Sequence, residues 1–203
     1  MIKFFRKKDI MDLNIKNLGK GKIPSPMLDK YPSKETAFVS DEMKVRYDCF
    51  VGDNSAGACR ELLFELAGPR ERIYFNPAET RAAIVTCGGL SPGLNGVIRA
   101  IVMESYYSYG VRSLTGIRYG YAGLNPKSGY EPVDLTPEAV RDIHLDGGTI
   151  LGSSRGGTED IDALITRLSE LGINILYTIG GDGTLKGAHE MAQIIRPAAS
   201  ISR

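Results

Sequence analysis

The sequence has little of what identifies secreted, metal-stapled or membrane proteins. Its 203 residues include no tryptophan and three cysteines, Cys49, Cys59 and Cys87, with no CxxC pair among them. An odd, unpaired set fits neither a disulfide framework nor a zinc site and is typical of a reducing compartment. No apolar run has the length of a membrane span, and the basic start MIKFFRKK is not followed by the apolar segment of a secretory signal. The sequence therefore predicts a cytoplasmic protein with no membrane partner.

An excess of one charge sign is also lacking. The 25 Lys and Arg residues balance 24 Asp and Glu residues, which leaves a formal net charge of +1. There is then no strong field to attract nucleic acid, so we expect no nucleic-acid partner, and any anionic ligand must be bound locally. The length and the 42% hydrophobic content favour one soluble globular unit.

Glycine is the residue in excess, with 24 in 203 residues, against a usual share of about 7%. Many of the glycines lie beside apolar runs in three loops: TCGGLSPGLN (86–95, the first loop), LGSSRGGTED (151–160, the second loop) and IGGDGTLKG (179–187, the third loop). A glycine turn between a strand and a helix lets phosphate oxygens approach backbone N–H groups, where the helix dipole favours negative charge. Each loop alone also fits a simple tight turn, but three together favour ligand binding.

The hydrophobic pattern predicts an α/β fold from residue 81 onward. The predicted strands are 82–86, 113–117, 173–179 and one within 147–157. The predicted helices are 94–109, 136–143 and 161–171, the last of which is ended by Gly172. A further helix is predicted after the third loop, with Leu185, Ala188, Met191 and Ala192 on its apolar face. Strands that alternate with helices predict a parallel, Rossmann-like sheet with flanking helices and ligands at the carboxyl ends of the strands. Residues 1–80 are predicted to be an irregular N-terminal extension with one helix near 58–67, and residues 81–203 a nucleotide-binding domain.

Polar side chains in the second and third loops are candidates for phosphate and metal binding. Asp182 places a carboxylate among N–H donors, a conflict that Mg²⁺ held by one carboxylate, waters and phosphate oxygens resolves; an N-cap role is the alternative. Thr184 could donate its hydroxyl to a phosphate, and Lys186 could reach one or remain an exposed helix residue. Arg155 could bind a phosphate with two N–H groups, or simply face solvent. Cys87 is expected to be a small buried thiol that closes a strand.

Familiar nucleotide motifs do not account for these loops. The chain has no GxxxxGK[ST] segment, and TCGGLSPG does not fit GxGxxG. Four segments, VTCGGLSPGLNGVIRAIV, GIRYGYAGL, GGTILGSSRGG and YTIGGDGTLKGA, in this order, resemble the N-terminal half of 6-phosphofructokinases, most closely the branch with a long N-terminal extension. NAD kinases and diacylglycerol-type lipid kinases share GGDGT but lack the first loop.

The resemblance implies a phosphofructokinase-like fold, a homo-oligomer in the full-length enzyme, and phosphoryl transfer from ATP, with Mg²⁺, to the 1-hydroxyl of fructose 6-phosphate in glycolysis. It implies nucleotide-binding roles for these residues: Gly88, Gly89, Tyr121, Arg155, Gly156, Gly181, Asp182, Gly183 and Thr184. Family members that use pyrophosphate carry Asp at the position of Gly183, where its bulk and charge would oppose the α-phosphate of ATP. Glycine there favours ATP as the donor over pyrophosphate.

One family feature is missing from the 203 residues. The general base of these enzymes is an aspartate in a TIDND-type motif after the GGDGT helix, and this chain ends RPAASISR without that motif. We therefore expect the chain to be the front part of a larger enzyme, cut before the substrate half and with little kinase activity alone. The alternative from a different class is a non-catalytic nucleotide-binding or assembly fragment.

Overall fold

The computed structural model of the chain describes residues 18–31, 37–46 and 63–195. The chain divides into two compact units, Met1–Tyr74 and Phe75–Arg203, whereas its length and composition favoured one globular unit. The assignment of residues 1–80 to an extension and of residues 81–203 to a nucleotide-binding domain stays a prediction.

The first unit contains two short antiparallel strand pairs. Its strands are β1 (Ile23–Pro24), β2 (Lys44–Arg46), β3 (Leu63–Glu65) and β4 (Arg72–Ile73), paired as β1 with β4 and β2 with β3. A 3₁₀ helix, Pro26–Asp29, follows β1. Arg70 ties this unit together because its guanidinium donates to Asp41 Oδ1 at 2.9 Å and to Glu65 Oε1 at 3.1 Å.

The helix predicted near 58–67 is wrong where the structure describes it. Leu63–Glu65 is strand β3, whose backbone pairs with β2 at Lys44–Arg46. Partners on a neighbouring strand outweigh local helix preference over so short a segment. Residues 58–62 lie outside the described residues.

The second unit is built on a four-stranded sheet of order β7-β6-β5-β8. The strands are β5 (Arg81–Thr86), β6 (Ser113–Ile117), β7 (Val133–Asp134) and β8 (Ile175–Ile179). β5 pairs in parallel with both β6 and β8, whereas β7 is antiparallel to β6. The predicted strands at 82–86, 113–117 and 173–179, and their parallel pairing, are confirmed.

Helices cover both faces of this sheet, as predicted. They are α1 (Leu94–Met103), α2 (Ile161–Glu170) and α3 (Asp182–Ile194). Alternate residues of β5 face opposite sides: Ala82 and Ile84 belong to a core with Ile98 and Val102 of α1, and Ala83 and Val85 to a core with Leu164 and Leu168 of α2 and Met191 of α3. The sequence pattern of an α/β fold is thus confirmed.

One predicted helix, α2, ends as the sequence indicates, whereas α1 ends earlier than predicted. α2 begins after Asp160, whose carboxylate accepts the Ala163 N–H at 3.0 Å. It ends in a Schellman motif in which Gly172, at φ +68°, donates to Ser169 O at 2.9 Å and Ile173 donates to Leu168 O at 2.9 Å. α1 ends at Met103, and the rest of its predicted length is a π-helical segment, Glu104–Ser108.

The predicted helix over 136–143 is wrong. Thr136 caps as expected, since its hydroxyl accepts the Ala139 N–H at 3.2 Å, but the chain forms one turn and then a 3₁₀ helix, Ile143–Leu145. Eight residues give too few hydrogen bonds to offset the cost of starting an α-helix.

The predicted strand within 147–157 is also wrong. Both edges of β5 are already occupied, by β6 and β8. The backbone of the segment bonds instead to side chains and loops, for example Ile150 N–H to Asn95 Oδ1 at 2.8 Å.

The apolar face predicted for α3 is partly wrong. Met191 is buried, but Leu185 is 56% exposed and Ala192 is also exposed. The helix instead buries Thr184, Gly187 and Met191. Gly187 decides this orientation, because a Cβ there would lie 3.0 Å from Cε2 of Tyr121.

Candidate functional site

The site lies where the strand order reverses. β6 and β8 flank β5 on opposite sides, so the loops after β5 and β8 diverge at the carboxyl edge of the sheet. Such a crevice is where open α/β sheets bind ligands. A cavity of about 470 Å³ opens at this edge.

Every residue predicted to contact a nucleotide lines this one cavity. They are Gly88 and Gly89 from the first loop, Tyr121, Arg155 and Gly156 from the second loop, and Gly181, Asp182, Gly183, Thr184 and Lys186 from the third loop. Tyr121 belongs to a 3₁₀ helix, Gly120–Leu124, that follows β6. The structure thus brings together residues up to 98 positions apart in sequence, from Gly88 to Lys186.

Backbone hydrogen bonds join the three loops into one frame. The Cys87 N–H donates to Ile179 O at 2.9 Å, which links the first loop to the third. The Gly88 N–H donates to Ser154 O at 2.8 Å, and the Ser153 hydroxyl donates to Gly88 O at 2.7 Å, which links the first loop to the second. The N–H of Gly88 therefore already donates a hydrogen bond within the protein. Gly88 has a φ of +88° and lines the cavity with its Cα.

The third loop supplies the N-terminus of α3. Gly181 is the N-cap residue and makes no side-chain cap, so the first N–H groups of the helix are not satisfied by a capping side chain. Asp182 is the first helical residue, which excludes the N-cap role that the sequence allowed for it. Its carboxylate makes no hydrogen bond or ion pair with any described residue.

Glycines of the site fall into two groups. A Cβ on Gly89, Gly181 or Gly183 would meet no atom within 4 Å. In contrast, a Cβ on Gly180 would lie 2.7 Å from Cys87 O, and one on Gly187 would lie 2.7 Å from Cγ2 of Thr158. The second group is needed for packing, whereas the first keeps cavity space open that the fold itself does not fill.

Tyr121 contacts the third loop through its hydroxyl. The side chain is 1% exposed, and its hydroxyl donates to Thr184 O at 2.8 Å. Burial, and secondarily the nearby Cys87 thiol, raises the pKa of Tyr121 above its ordinary value. The bond fixes the first turn of α3 relative to β6.

Cys87 is the buried thiol that the sequence predicts. Burial raises its pKa, and hydrogen bonds with the Tyr121 backbone and the Thr184 side chain lower it by less. A protonated, buried thiol is a poor nucleophile. Its place at the end of β5 is structural.

Two cationic side chains lie at the mouth of the cavity. Arg155 is exposed, and its guanidinium has no hydrogen bond or ion pair with a described residue. Lys186 is 79% exposed and has its Nζ 3.9 Å from Oε1 of Glu190. An exposed pair at that distance contributes little to stability, so both cations are available to an anionic ligand.

The site contains no set of side chains able to bind a metal ion alone. Within the described residues there is no group of three or more His, Cys, Asp or Glu side chains with metal-binding geometry. In that same part of the chain, no helix is long and apolar enough to cross a bilayer.

Comparison with known proteins decides the family. The model of the phosphofructokinase family matches residues 81–201. The chain belongs to this family. It is 42% identical over 190 residues to the ATP-dependent 6-phosphofructokinase of Borreliella burgdorferi, an alignment that covers 93% of this chain and 42% of the relative. A protein of the same name from Amycolatopsis methanolica is also 42% identical over 190 residues, covering 91% of this chain and 41% of the relative.

The phosphofructokinase fold is confirmed by a solved structure. Pichia pastoris phosphofructokinase in the T-state superposes with a TM-score of 0.53 at 24% identity, over 66% of this chain and 16% of that one. The chain spans about two fifths of the length of the two curated phosphofructokinases that it matches. The resemblance drawn from four sequence segments is therefore confirmed.

Sequence reasoning missed five residues of this phosphofructokinase cavity: Cys87, Ser154, Thr158, Gly187 and Glu190. Four of them lie within the three glycine loops, so their proximity to the predicted residues was the available signal. Glu190 lies outside the loops, and only its helical spacing of four from Lys186 places it on the same side of α3.

Proposed function

We propose that the cavity binds the phosphate groups of MgATP and that the complete protein transfers the terminal phosphoryl group to the 1-hydroxyl of fructose 6-phosphate, as an ATP-dependent 6-phosphofructokinase of glycolysis. One observation carries the proposal: the unpartnered Asp182 carboxylate lies beside the uncapped N-terminus of α3 in a cavity of about 470 Å³. A helix N-terminus favours an anion, and a carboxylate favours a cation. A phosphate that carries its own metal ion satisfies both.

Residues from different loops bind different sides of the phosphate chain. The first N–H groups of α3, from Asp182 to Thr184, bind phosphate oxygens from one side. Arg155 binds them from the second loop with its planar pair of N–H groups. Gly89 and Gly183 line the space between, where the absence of a side chain lets the ligand approach the backbone.

Mg²⁺ fits this donor set only together with phosphate. One carboxylate is too few for a protein-only site, and Mg²⁺ usually keeps several waters and takes phosphate oxygens as ligands. Asp182 would hold the ion directly or through water. When bound, the ion neutralises part of the phosphate charge.

Two properties of the complete protein follow from family membership as further proposals. They are a cytoplasmic location and a homo-oligomeric assembly. The 203 residues contain no TIDND segment, so we expect this chain alone to bind nucleotide and to turn over little fructose 6-phosphate, because a general base that accepts the sugar hydroxyl proton is needed for efficient transfer.

Pyrophosphate is the second candidate donor, and the open space at Gly183 favours ATP over it. A Cβ at Gly183 meets nothing within 4 Å, so protein packing does not require glycine there. The space is available to an additional phosphate and nucleoside, which pyrophosphate would leave empty.

Calorimetric titration of the purified chain with MgATP, and separately with magnesium pyrophosphate, tests the proposed function. We expect one saturable site for MgATP, weakened at least about tenfold by Arg155→Ala or Asp182→Asn. Arg141→Ala is the matched control, because Arg141 is an exposed arginine that pairs with Asp142 at 2.9 Å outside the cavity. Loss of binding in the control to the same degree, or no binding by the folded chain, contradicts the proposal.

A coupled assay with fructose 6-phosphate and MgATP tests the activity part separately. Little turnover by the chain alone is expected. Robust turnover would overturn the argument that the general base is missing. If the chain co-purifies with a longer phosphofructokinase while binding no nucleotide, the assembly-fragment alternative is favoured instead.

A further inference from the structure

The first loop begins and ends with a buried polar residue that does not line the cavity. Thr86 is its first residue and Asn95 its last, and they are 0% and 2% exposed. Neither belongs to the cavity wall. Their hydrogen bonds instead go to the segment 146–152, which ends in the first two residues of the second loop.

Thr86 holds the end of this segment. Its hydroxyl donates to Gly152 O at 2.8 Å and lies 3.0 Å from the Thr149 hydroxyl. Since Thr86 is also the last residue of β5, these bonds fix Gly152 to the central strand of the sheet.

Asn95 holds the start and middle of the same segment. Its amide donates to Asp146 O at 3.0 Å and accepts the Ile150 N–H at 2.8 Å, and its backbone N–H donates to Gly148 O at 2.9 Å. These bonds replace the strand ladder that the segment lacks. A buried polar group that loses its partner is costly, so the segment is held firmly in one conformation.

The rest of the second loop, residues 153–160, follows this anchored segment. Immediately after Gly152, the hydroxyl of Ser153 donates to Gly88 O at 2.7 Å, and that of Ser154 donates to Tyr119 O at 2.6 Å. The next residue is Arg155, which is exposed at the cavity mouth and has no partner of its own among the described residues. The position of its backbone is therefore set by the bonds that precede it.

We propose that Thr86 and Asn95 are positioning residues that hold the second loop over the cavity so that Arg155 reaches the phosphate groups of the ligand. The inference rests on the proposed function, because it takes the nucleotide phosphates as the target of Arg155. It gives the two ends of the first loop a role distinct from the ligand-facing glycines between them.

A double-mutant cycle with Arg155 tests this role. Thr86→Val keeps the side-chain shape and removes the hydroxyl; we expect it to weaken MgATP binding about tenfold in the otherwise unchanged chain and less than about twofold in the Arg155→Ala background. Thr86→Ser keeps the hydroxyl and should restore most of the affinity. Asn95→Asp, which loses the amide donor, should show the same non-additivity. Equal weakening in both backgrounds would mean that Thr86 and Asn95 do not act through Arg155.

Amide hydrogen exchange provides a readout that does not need the ligand. In Thr86→Val we expect the amides of residues 149–156 to exchange faster, while those of helix α2 keep their protection. Unchanged exchange at 149–156 in the folded variant overturns the inference even if the chain binds MgATP. If the exchange changes as expected but the unmodified chain binds no MgATP, the proposed function fails while the anchoring of the loop stands.

Discussion

Gly183 has open space around the position of a missing side chain, although it lies in the first turn of α3. We predict that Gly183→Asp leaves the free energy of unfolding nearly unchanged, because no packing is disturbed and an acidic residue in the first helical turn is favourable. The added carboxylate should weaken MgATP binding at least about tenfold through like-charge repulsion with the phosphate groups.

Titrations of the Gly183→Asp variant with MgATP and with magnesium pyrophosphate check this prediction. Gly183→Ala is the control, since it adds a Cβ without charge and should cost much less affinity. If Gly183→Asp binds MgATP as well as the unmodified chain, the assignment of the cavity space beside Gly183 to the nucleotide is wrong.

Tyr121 and Cys87 form a buried pair of groups that are neutral when protonated. Burial is the main cause that raises the pKa of each, from ordinary values of 10.0 and 9.0. The folded state thus keeps protons that the unfolded state loses, so this contribution to stability is present below about pH 9 and is lost as pH rises further.

We predict that the free energy of unfolding falls as pH rises above about 9, and that Tyr121→Phe makes the fall less steep. The same variant should lower stability at neutral pH by about 1 kcal/mol, because the bond to Thr184 O is lost. Urea denaturation at neutral and alkaline pH measures both effects. An unchanged slope in Tyr121→Phe would show that folding does not raise the pKa of the Tyr121 hydroxyl.

At the level of elements, α2 depends on its two ends. The Asp160 carboxylate caps the first turn by accepting the Ala163 N–H at 3.0 Å, and Gly172 has a φ of +68° after the last turn. We predict that Asp160→Ala lowers the free energy of unfolding by about 1 kcal/mol and that Gly172→Ala lowers it by about 1–2 kcal/mol, since the left-handed conformation is strained for residues with a Cβ. Urea denaturation gives both values.

Ser169→Ala is the matched control for α2, because Ser169 is exposed near the helix C-terminus and its backbone, not its side chain, accepts the bond from Gly172. It should change stability by less than about 0.5 kcal/mol. A loss in Ser169→Ala as large as in Gly172→Ala would indicate general sensitivity of the helix rather than a specific cap.

Some elements could be predicted from local sequence patterns, and others could not. α2 could be predicted because its apolar spacing and its glycine stop agree. The segment 146–152 was not, because its backbone partners are the side chains of Thr86 and Asn95, more than fifty residues earlier in the chain. The orientation of α3 was missed for a similar reason, since Gly187 packs closely against Tyr121 and Thr158, and hydrophobicity alone favours Leu185.

At the scale of the whole molecule, the convergence of three distant loops follows from the sheet order. β5 lies between β6 and β8, all three parallel, so their carboxyl ends share one edge. Alternating strands and helices allowed this edge to be predicted. The sequence could not predict which backbone N–H groups remain available to a ligand. The Gly88 N–H, for example, donates to Ser154 O within the protein.

The central claim is that these three loops together bind the phosphate groups of one nucleotide. Mapping the amide chemical shifts of the ¹⁵N-labelled chain during titration with MgATP tests it most directly. We predict the largest saturable shifts at residues 88–89, 155–156 and 181–184, with the α2 amides little affected. Saturable shifts confined to another region, or no shifts in the folded chain, would contradict the account.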